Sequence, residues 1–208
     1  MKEIILNHPM VSHKISILRN KDTSTKEFRE LISELATILC LEALRDAKLE
    51  SFKVKTPIDE TEGFKINENN YAFVPILRAG MGMVDGVLTV IPNAKIGHIG
   101  LYRNESTLEP VEYYCKLPNK IEEKTVILLD PMLATGGSAV NAITQLKKRE
   151  VKKIKFLAIL GAPEGIKKIK EMHPDVEIYL ACKDEKLNES GYIVPGLGDA
   201  GDRIYGTK

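Results

Sequence analysis

The chain has 208 residues, 43% of them hydrophobic and 28% charged, enough for one buried core and too few for two ordinary domains plus a linker, so a single domain over residues 1–208 is expected. Thirty Lys and Arg against 29 Asp and Glu leave a net charge of +1, which excludes a whole-molecule field that would gather nucleic acid or an anionic membrane. The scattered Cys40, Cys115 and Cys182 fit neither a disulfide framework nor a zinc cluster and point to a reducing, cytoplasmic setting, while no run approaches the roughly 18 apolar residues of a membrane span or forms a signal-peptide core.

In chain order, Phe28, Leu31, Leu35, Ile38 and Leu39 recur at helical spacing, and Ser24 with Glu27 three residues later is a capping-box start. This predicts a long amphipathic helix over 24–48 that opens the fold. Extended pieces follow at 52–56 and 63–66, then a more apolar strand over 71–77 that stops at Arg78, and a helical stretch through Val84, Val87 and Leu88. Residues 96–101 are strand-like. The segment 102–118 lacks helical periodicity, alternates through Val111, Tyr113 and Cys115, and is expected to form a protruding β-arm, a candidate lid or dimer contact. Strands are predicted at 125–129, 154–160 and 176–181, with helices carrying Ala139, Val140, Ile143 and Leu146, and Ile166, Ile169 and Met172. Continuous apolar strands separated by helices imply an α/β domain, a central parallel sheet flanked by helices on both faces. Ligands bind beyond the carboxyl ends of such strands, so the loops after Leu77, Leu101 and Leu129 are where chemistry is expected.

The most informative loop runs from Asp130 through Pro131, Met132, Leu133 and Ala134 to Thr135, Gly136, Gly137 and Ser138. An acid ends an apolar strand, and hydroxyls and glycines reach the start of a helix, where free N–H groups and the helix dipole form an anion cradle. The plain alternative is an ordinary connection in which Ser138 caps the helix. An acceptor-only carboxylate beside an anion cradle suits a phosphorylated sugar.

This run resembles the phosphoribosyl-pyrophosphate (PRPP) motif of type I phosphoribosyltransferases. Pro131, standing where relatives acting on purines or orotate place a second acid, makes it similar to the uracil branch. Residues 75–83 resemble that family's pyrophosphate loop and residues 191–203 its uracil-binding hood; with residues 102–110 and 162–165 between them, the resemblance spans essentially the whole chain.

It implies transfer of ribose 5-phosphate from PRPP to N1 of uracil, giving UMP and diphosphate in pyrimidine salvage. On this reading the 135–138 cradle holds the 5-phosphate, within a PRPP-binding run from Asp130 to Ser138, and Asp130 takes the ribose hydroxyls. Arg78 and Arg103 carry the diphosphate with Mg²⁺, which arrives as Mg-PRPP rather than in a protein cage. Asp199, in the hood, is expected to reach the metal-diphosphate side through water. Ile193, Gly198 and Ala200 read uracil through their backbone, and Tyr192 lies against the ring. The hood is placed at about 183–208. The resemblance also implies at least a homodimer, and GTP activates some relatives, although no second nucleotide motif is legible.

Two glycine patterns are decoys for a dinucleotide site. The one at 80–86 has its third glycine one residue late, and the one at 196–201 lies too near the end of the sequence to open a βαβ helix. His8, His13, His98 and His173 show no metal spacing and suggest surface or satisfied-core roles. The basic run 147–155 suggests a solvated helix end, with an RNA-binding regulator on the same fold as the competing reading; the near-neutral charge and intact hood favour the enzyme, which uses no nucleic-acid or membrane partner.

Overall fold

The computed structural model describes residues 2–103 and 110–207, the side chains of Arg103 and Pro110 excepted. The chain begins with strand β1 (Glu3–Ile5) and helix α1 (Pro9–Arg19), both ahead of the helix expected to open the fold. Helix α1 buries Val11, Ile15 and Leu18, has Pro9 at its head, and is capped by His8, whose Nδ1 accepts from the Met10 N–H at 3.1 Å. Proline suits a first turn because the missing N–H has no intrahelical partner there. Helix α2 (Thr25–Ala43) starts as predicted, the Ser24 hydroxyl accepting from the Glu27 N–H at 3.2 Å, but stops at Ala43 rather than near 48. Strands β2 (Leu49–Lys55) and β3 (Glu60–Ile66) pair only with each other, as an antiparallel hairpin.

The remaining elements are β4 (Tyr71–Leu77), α3 (Val84–Val90), β5 (Lys95–Ile96), β6 (His98–Arg103), β7 (Pro110–Lys116), β8 (Thr125–Leu129), β9 (Met132–Leu133), α4 (Gly137–Lys148), β10 (Lys153–Gly161), α5 (Pro163–Met172), β11 (Glu177–Lys183), β12 (Lys186–Leu187), β13 (Ile193–Val194) and α6 (Ala200–Tyr205). The main sheet has the order β1-β11-β10-β8-β4-β6-β7, parallel except for the β6–β7 pair at its edge. Both faces are covered. Val126, Leu128, Phe156 and Ala158 pack with Ile143 and Ile166 on one side, and Ile127, Leu129, Leu157 and Ile159 with Phe28 and Leu35 on the other. Each of the Val, Leu, Ile and Phe side chains contributes roughly 1.5–3 kcal/mol on burial, and two dry faces explain why these strands read as unbroken apolar runs. The pairing of Pro75 with Leu129 brings the ends of β4 and β8 to one edge, so Arg78 and Asp130 emerge together.

Three expectations change. Among the described residues of 102–118, β7 continues the main sheet rather than protruding; residues 104–109 lie outside those described. The piece that stands apart is the β2–β3 hairpin, whose Leu49 and Phe64 are 60% and 63% exposed. The run 147–155 is solvated only in part: Lys148, Glu150, Lys152 and Lys153 are exposed, whereas Lys147 pairs with Asp175, Arg149 with Glu112 at 3.2 Å, and buried Lys155 donates to Asp46 and the Ala43 carbonyl. A short helix, α6, does follow the second glycine pattern, yet no strand follows it among the described residues, so no βαβ unit exists there. No helix among the described residues is long and apolar enough to cross a membrane.

Candidate active site

Three loops converge at the carboxyl edge of the sheet on a cavity of about 360 Å³, whose lining includes Arg78, Asp130, Met132, Tyr192, Asp199 and Ala200. Asp130 is the first residue past β8. Its N–H donates to the Leu157 carbonyl at 3.2 Å and its Oδ1 accepts from the Met132 N–H at 3.3 Å. Burial pushes its carboxyl up to about 7, and the nearby Asp199 adds like-charge repulsion in the same direction.

Beyond Asp130 the loop lies along β10. The Pro131 carbonyl accepts from the Ile159 and Leu160 N–H groups, and the Leu133 carbonyl accepts from the Ala162 N–H at 2.9 Å. Pro131 and Leu133 are buried, while Met132 and Ala134 line the cavity. The expected ligand run therefore divides into residues that face the cavity and residues that fasten it to the sheet. Gly136, at φ 77°, forms the N-terminal boundary of α4 with no side-chain cap, so Ser138 is not the cap of this helix. The first-turn N–H groups of this 12-residue helix have no intrahelical partner.

The head of α5 supports this cradle, a role the sequence reading does not assign. A Cβ at Gly165 would lie 2.4 Å from the Ala134 carbonyl, and one at Gly136 would lie 3.0 Å from the Gly165 carbonyl. The sequence signal for it is the resemblance of residues 162–165 to the family.

Arg78 follows a cis Leu77–Arg78 peptide. Its guanidinium lies 5.8 Å from the Tyr205 ring centre, and the Tyr205 hydroxyl donates to the Arg78 carbonyl at 2.9 Å. Helix α6 thus braces the Arg78 loop through Tyr205, a residue the sequence did not single out. The Arg103 side chain lies outside those described.

The hood folds over the same cavity. Ile193 and Ala200 bury their side chains, 5% and 2% exposed, which leaves backbone as what they can present to a ligand, whereas Tyr192 keeps its ring half-exposed at the rim. Gly198 has φ 83°, and a Cβ at Gly191 would sit 3.7 Å from Thr135 Cγ2, so the hood tip approaches the cradle. Asp199 has a second duty: its Oδ1 accepts from the Asp202 N–H at 2.9 Å as the cap of α6. A larger cleft of about 600 Å³, which shares Tyr192, Gly198 and Asp199 with this cavity, includes Arg19 and Arg203, and both guanidiniums are bonded to backbone carbonyls.

Among the described residues no group of three or more His, Cys, Asp and Glu is placed to hold a metal ion. The cavity does bring Asp130 and Asp199 together, two hard oxygen donors of the kind Mg²⁺ prefers when a phosphate supplies its other ligands. His173 Nε2 lies 3.0 Å from the Thr144 hydroxyl and 3.2 Å from the Val140 carbonyl, a satisfied-core histidine.

The chain is similar in sequence and fold to known proteins. The family described as uracil phosphoribosyltransferase matches residues 5–207. The chain is 59% identical over 207 residues to the uracil phosphoribosyltransferase of Clostridium botulinum (strain Eklund 17B / Type B), covering 100% of this chain and 99% of that protein. Its structure is similar to that of the AQ2163 protein from Aquifex aeolicus, with a TM-score of 0.92 at 45% identity over 98% of this chain and 97% of the other. The purine phosphoribosyltransferase from Pyrococcus horikoshii Ot3 shares the fold alone, with a TM-score of 0.50 at 14% identity over 88% of each chain.

Proposed function

The chain belongs to the uracil phosphoribosyltransferase family, and from that premise we propose how its own residues convert uracil and PRPP into UMP and diphosphate. The observation that carries the assignment is the convergence of Arg78, Asp130 and the hood on one cavity. Thr135 to Ser138 take the 5-phosphate with first-turn amides and hydroxyls. Asp130 accepts from the ribose hydroxyls, Met132 and Ala134 wall the sugar, and Pro131 and Leu133 hold the loop to the sheet. Arg78, with Arg103, neutralises the diphosphate.

The reacting sugar carbon gains oxocarbenium character as the diphosphate leaves, so the site acts by positioning and by stabilising leaving-group charge; no covalent nucleophile is assigned. Asp199, through water, and the neighbouring Asp130 would face Mg²⁺ arriving with the diphosphate, and that ion would supply further charge stabilisation. The hood presents the backbone of Ile193, Gly198 and Ala200 to uracil and lays Tyr192 against the ring, so a base with the wrong donor pattern leaves polar groups unpaired at about 1–3 kcal/mol each.

We further propose one catalytic domain, a cytoplasmic setting consistent with three free cysteines, and a homodimer in which the β2–β3 hairpin is the contact arm, because it exposes Leu49, Phe52 and Phe64 away from the main sheet. Light scattering of Phe64→Ser should then show loss of the oligomer. The function is tested by diphosphate release from PRPP with and without uracil and Mg²⁺. Uracil-dependent release is expected, and release indifferent to uracil would refute the reading. Adding GTP at fixed substrate in the same assay tests the implied effector.

A further inference from the structure

We propose that Arg19 and Asp184 are positioning residues for pyrimidine recognition, a part-buried pair that grips the Gly196 backbone and thereby sets the loop that reads uracil. The proposal rests on the reading of the hood given above. Arg19 is the last residue of α1, and Asp184 lies 165 positions away, just past β11. The Arg19 Nη1 donates to Asp184 Oδ2 at 2.8 Å and Nη2 donates to Oδ1, a two-pronged contact. The Asp184 side chain is only 4% exposed.

What sets this pair apart is that it is shared with the backbone of the hood. Arg19 Nη1 also donates to the Gly196 carbonyl at 2.8 Å, and the Gly196 N–H donates to Asp184 Oδ2 at 2.8 Å. The cation takes the carbonyl of Gly196 and the anion takes its amide. Arg203 continues the arrangement one residue on. Its Nη1 donates to the Leu197 carbonyl at 2.9 Å and to the Leu18 carbonyl, its Nη2 donates to the Asn20 carbonyl at 2.6 Å, and its guanidinium lies 4.3 Å from the Phe28 ring centre. Two consecutive hood residues are therefore fastened to the α1–α2 platform immediately before Gly198, Asp199 and Ala200.

A base read by backbone groups has no side-chain rotamers to correct a misplaced contact. Its discrimination depends on where the peptide planes stand, and that depends on the shell behind them. Neither Arg19 nor Asp184 lines the 360 Å³ cavity, so any effect of theirs on uracil has to pass through the loop. A pair serving only to join α1 to β11 has no need of the Gly196 backbone.

The test uses the full-length enzyme and steady-state kinetics with each substrate varied in turn. Arg19→Lys keeps the charge but cannot span Asp184 and the Gly196 carbonyl as a fork. The expected result is a rise in the KM for uracil of about tenfold and a similar fall in preference for uracil over cytosine, the scale of a lost polar contact, with kcat and the KM for PRPP within about twofold. A lower melting temperature or active fraction with both KM values and the base preference unchanged would show a structural pair only and overturn the proposal. Should Arg19→Lys not fold, Arg203→Lys loosens the Leu197 carbonyl from the Leu18 and Asn20 carbonyls while leaving both Gly196 bonds in place, and a uracil KM raised about threefold supports the clamp while an unchanged one overturns it. Gly198→Ala separates the two layers. If it leaves the uracil KM unchanged, the hood reading fails and the proposal with it; if it raises that KM while the arginine variants do not, the clamp alone fails.

Discussion

The cradle at 130–138 and the hood around 184–205 face one another across a single cavity, yet they are held in place by different means. The cradle is one stretch of chain, fastened by backbone bonds to β10 and by the close approach of Gly165 to Ala134. The hood is fastened by side chains that come from far away in sequence, Arg19 from α1 to Asp184 beyond β11, and Arg203 back to α1 and Phe28. A phosphate is recognised by charge and by amides that a helix start already supplies, so a local motif suffices. A flat pyrimidine is discriminated by donor order, which demands that a loop be set by the rest of the molecule. Damage on the cradle side should therefore fall on the diphosphate substrate, and damage on the hood side on the base.

The largest break of that contrast is expected from Arg78→Ala, which removes a charge-assisted contact worth roughly 1.5–3 kcal/mol and should lower turnover with PRPP by about 10- to 150-fold; steady-state assays check it, and wild-type kinetics would remove Arg78 from the site. Next comes Gly165→Ala. Its methyl would meet the Ala134 carbonyl, so overpacking should cost about 1–3 kcal/mol, a fall in melting temperature of about 2–12 °C, together with a raised KM for PRPP.

Acidity supplies the third. Asp130 is held up to about 7 from an ordinary 3.8 by burial, then by Asp199, and only its ionised form is a pure acceptor for ribose hydroxyls. The kcat/KM for PRPP should accordingly fall about tenfold per pH unit below that value, and Asp130→Asn should abolish this limb of the profile. The same raised value means that stability present at low pH is lost as pH rises from about 4 through 7, so Asp130→Asn should gain in melting temperature relative to wild type at pH 8 and not at pH 4. The smallest effect is expected from Tyr205→Phe, which keeps the ring under Arg78 but loses the bond to its carbonyl, raising the KM for PRPP by about two- to tenfold.

The sequence makes the same division visible. Tyr71–Leu77 and Thr125–Leu129 are legible to the residue because both faces of the sheet are dry and each strand ends at a polar residue. The Asp130 to Ser138 run is legible because its parts are contiguous. Helix α1 is missed although Val11, Ile15 and Leu18 carry its spacing, since Pro9 and His8 read as interruptions when they in fact start it. The hairpin strands are seen, but their mutual pairing is not, because exposed strands carry no burial pattern to set a partner. Arg19, Asp184 and Tyr205 give no local signal at all; their roles exist only once the chain is folded.

One measurement addresses the central claim most directly: the same added methyl placed once on each side of the cavity. Gly136 and Gly198 both have positive φ, 77° and 83°, where alanine strains the backbone by roughly 1–2 kcal/mol. With both substrates varied, Gly136→Ala should raise the KM for PRPP and leave that for uracil within about twofold, and Gly198→Ala should do the reverse, each by about 5- to 30-fold. Two variants that raise the same KM, or that raise both KM values together, would contradict the division of the site into a diphosphate-sugar cradle and a base-reading hood.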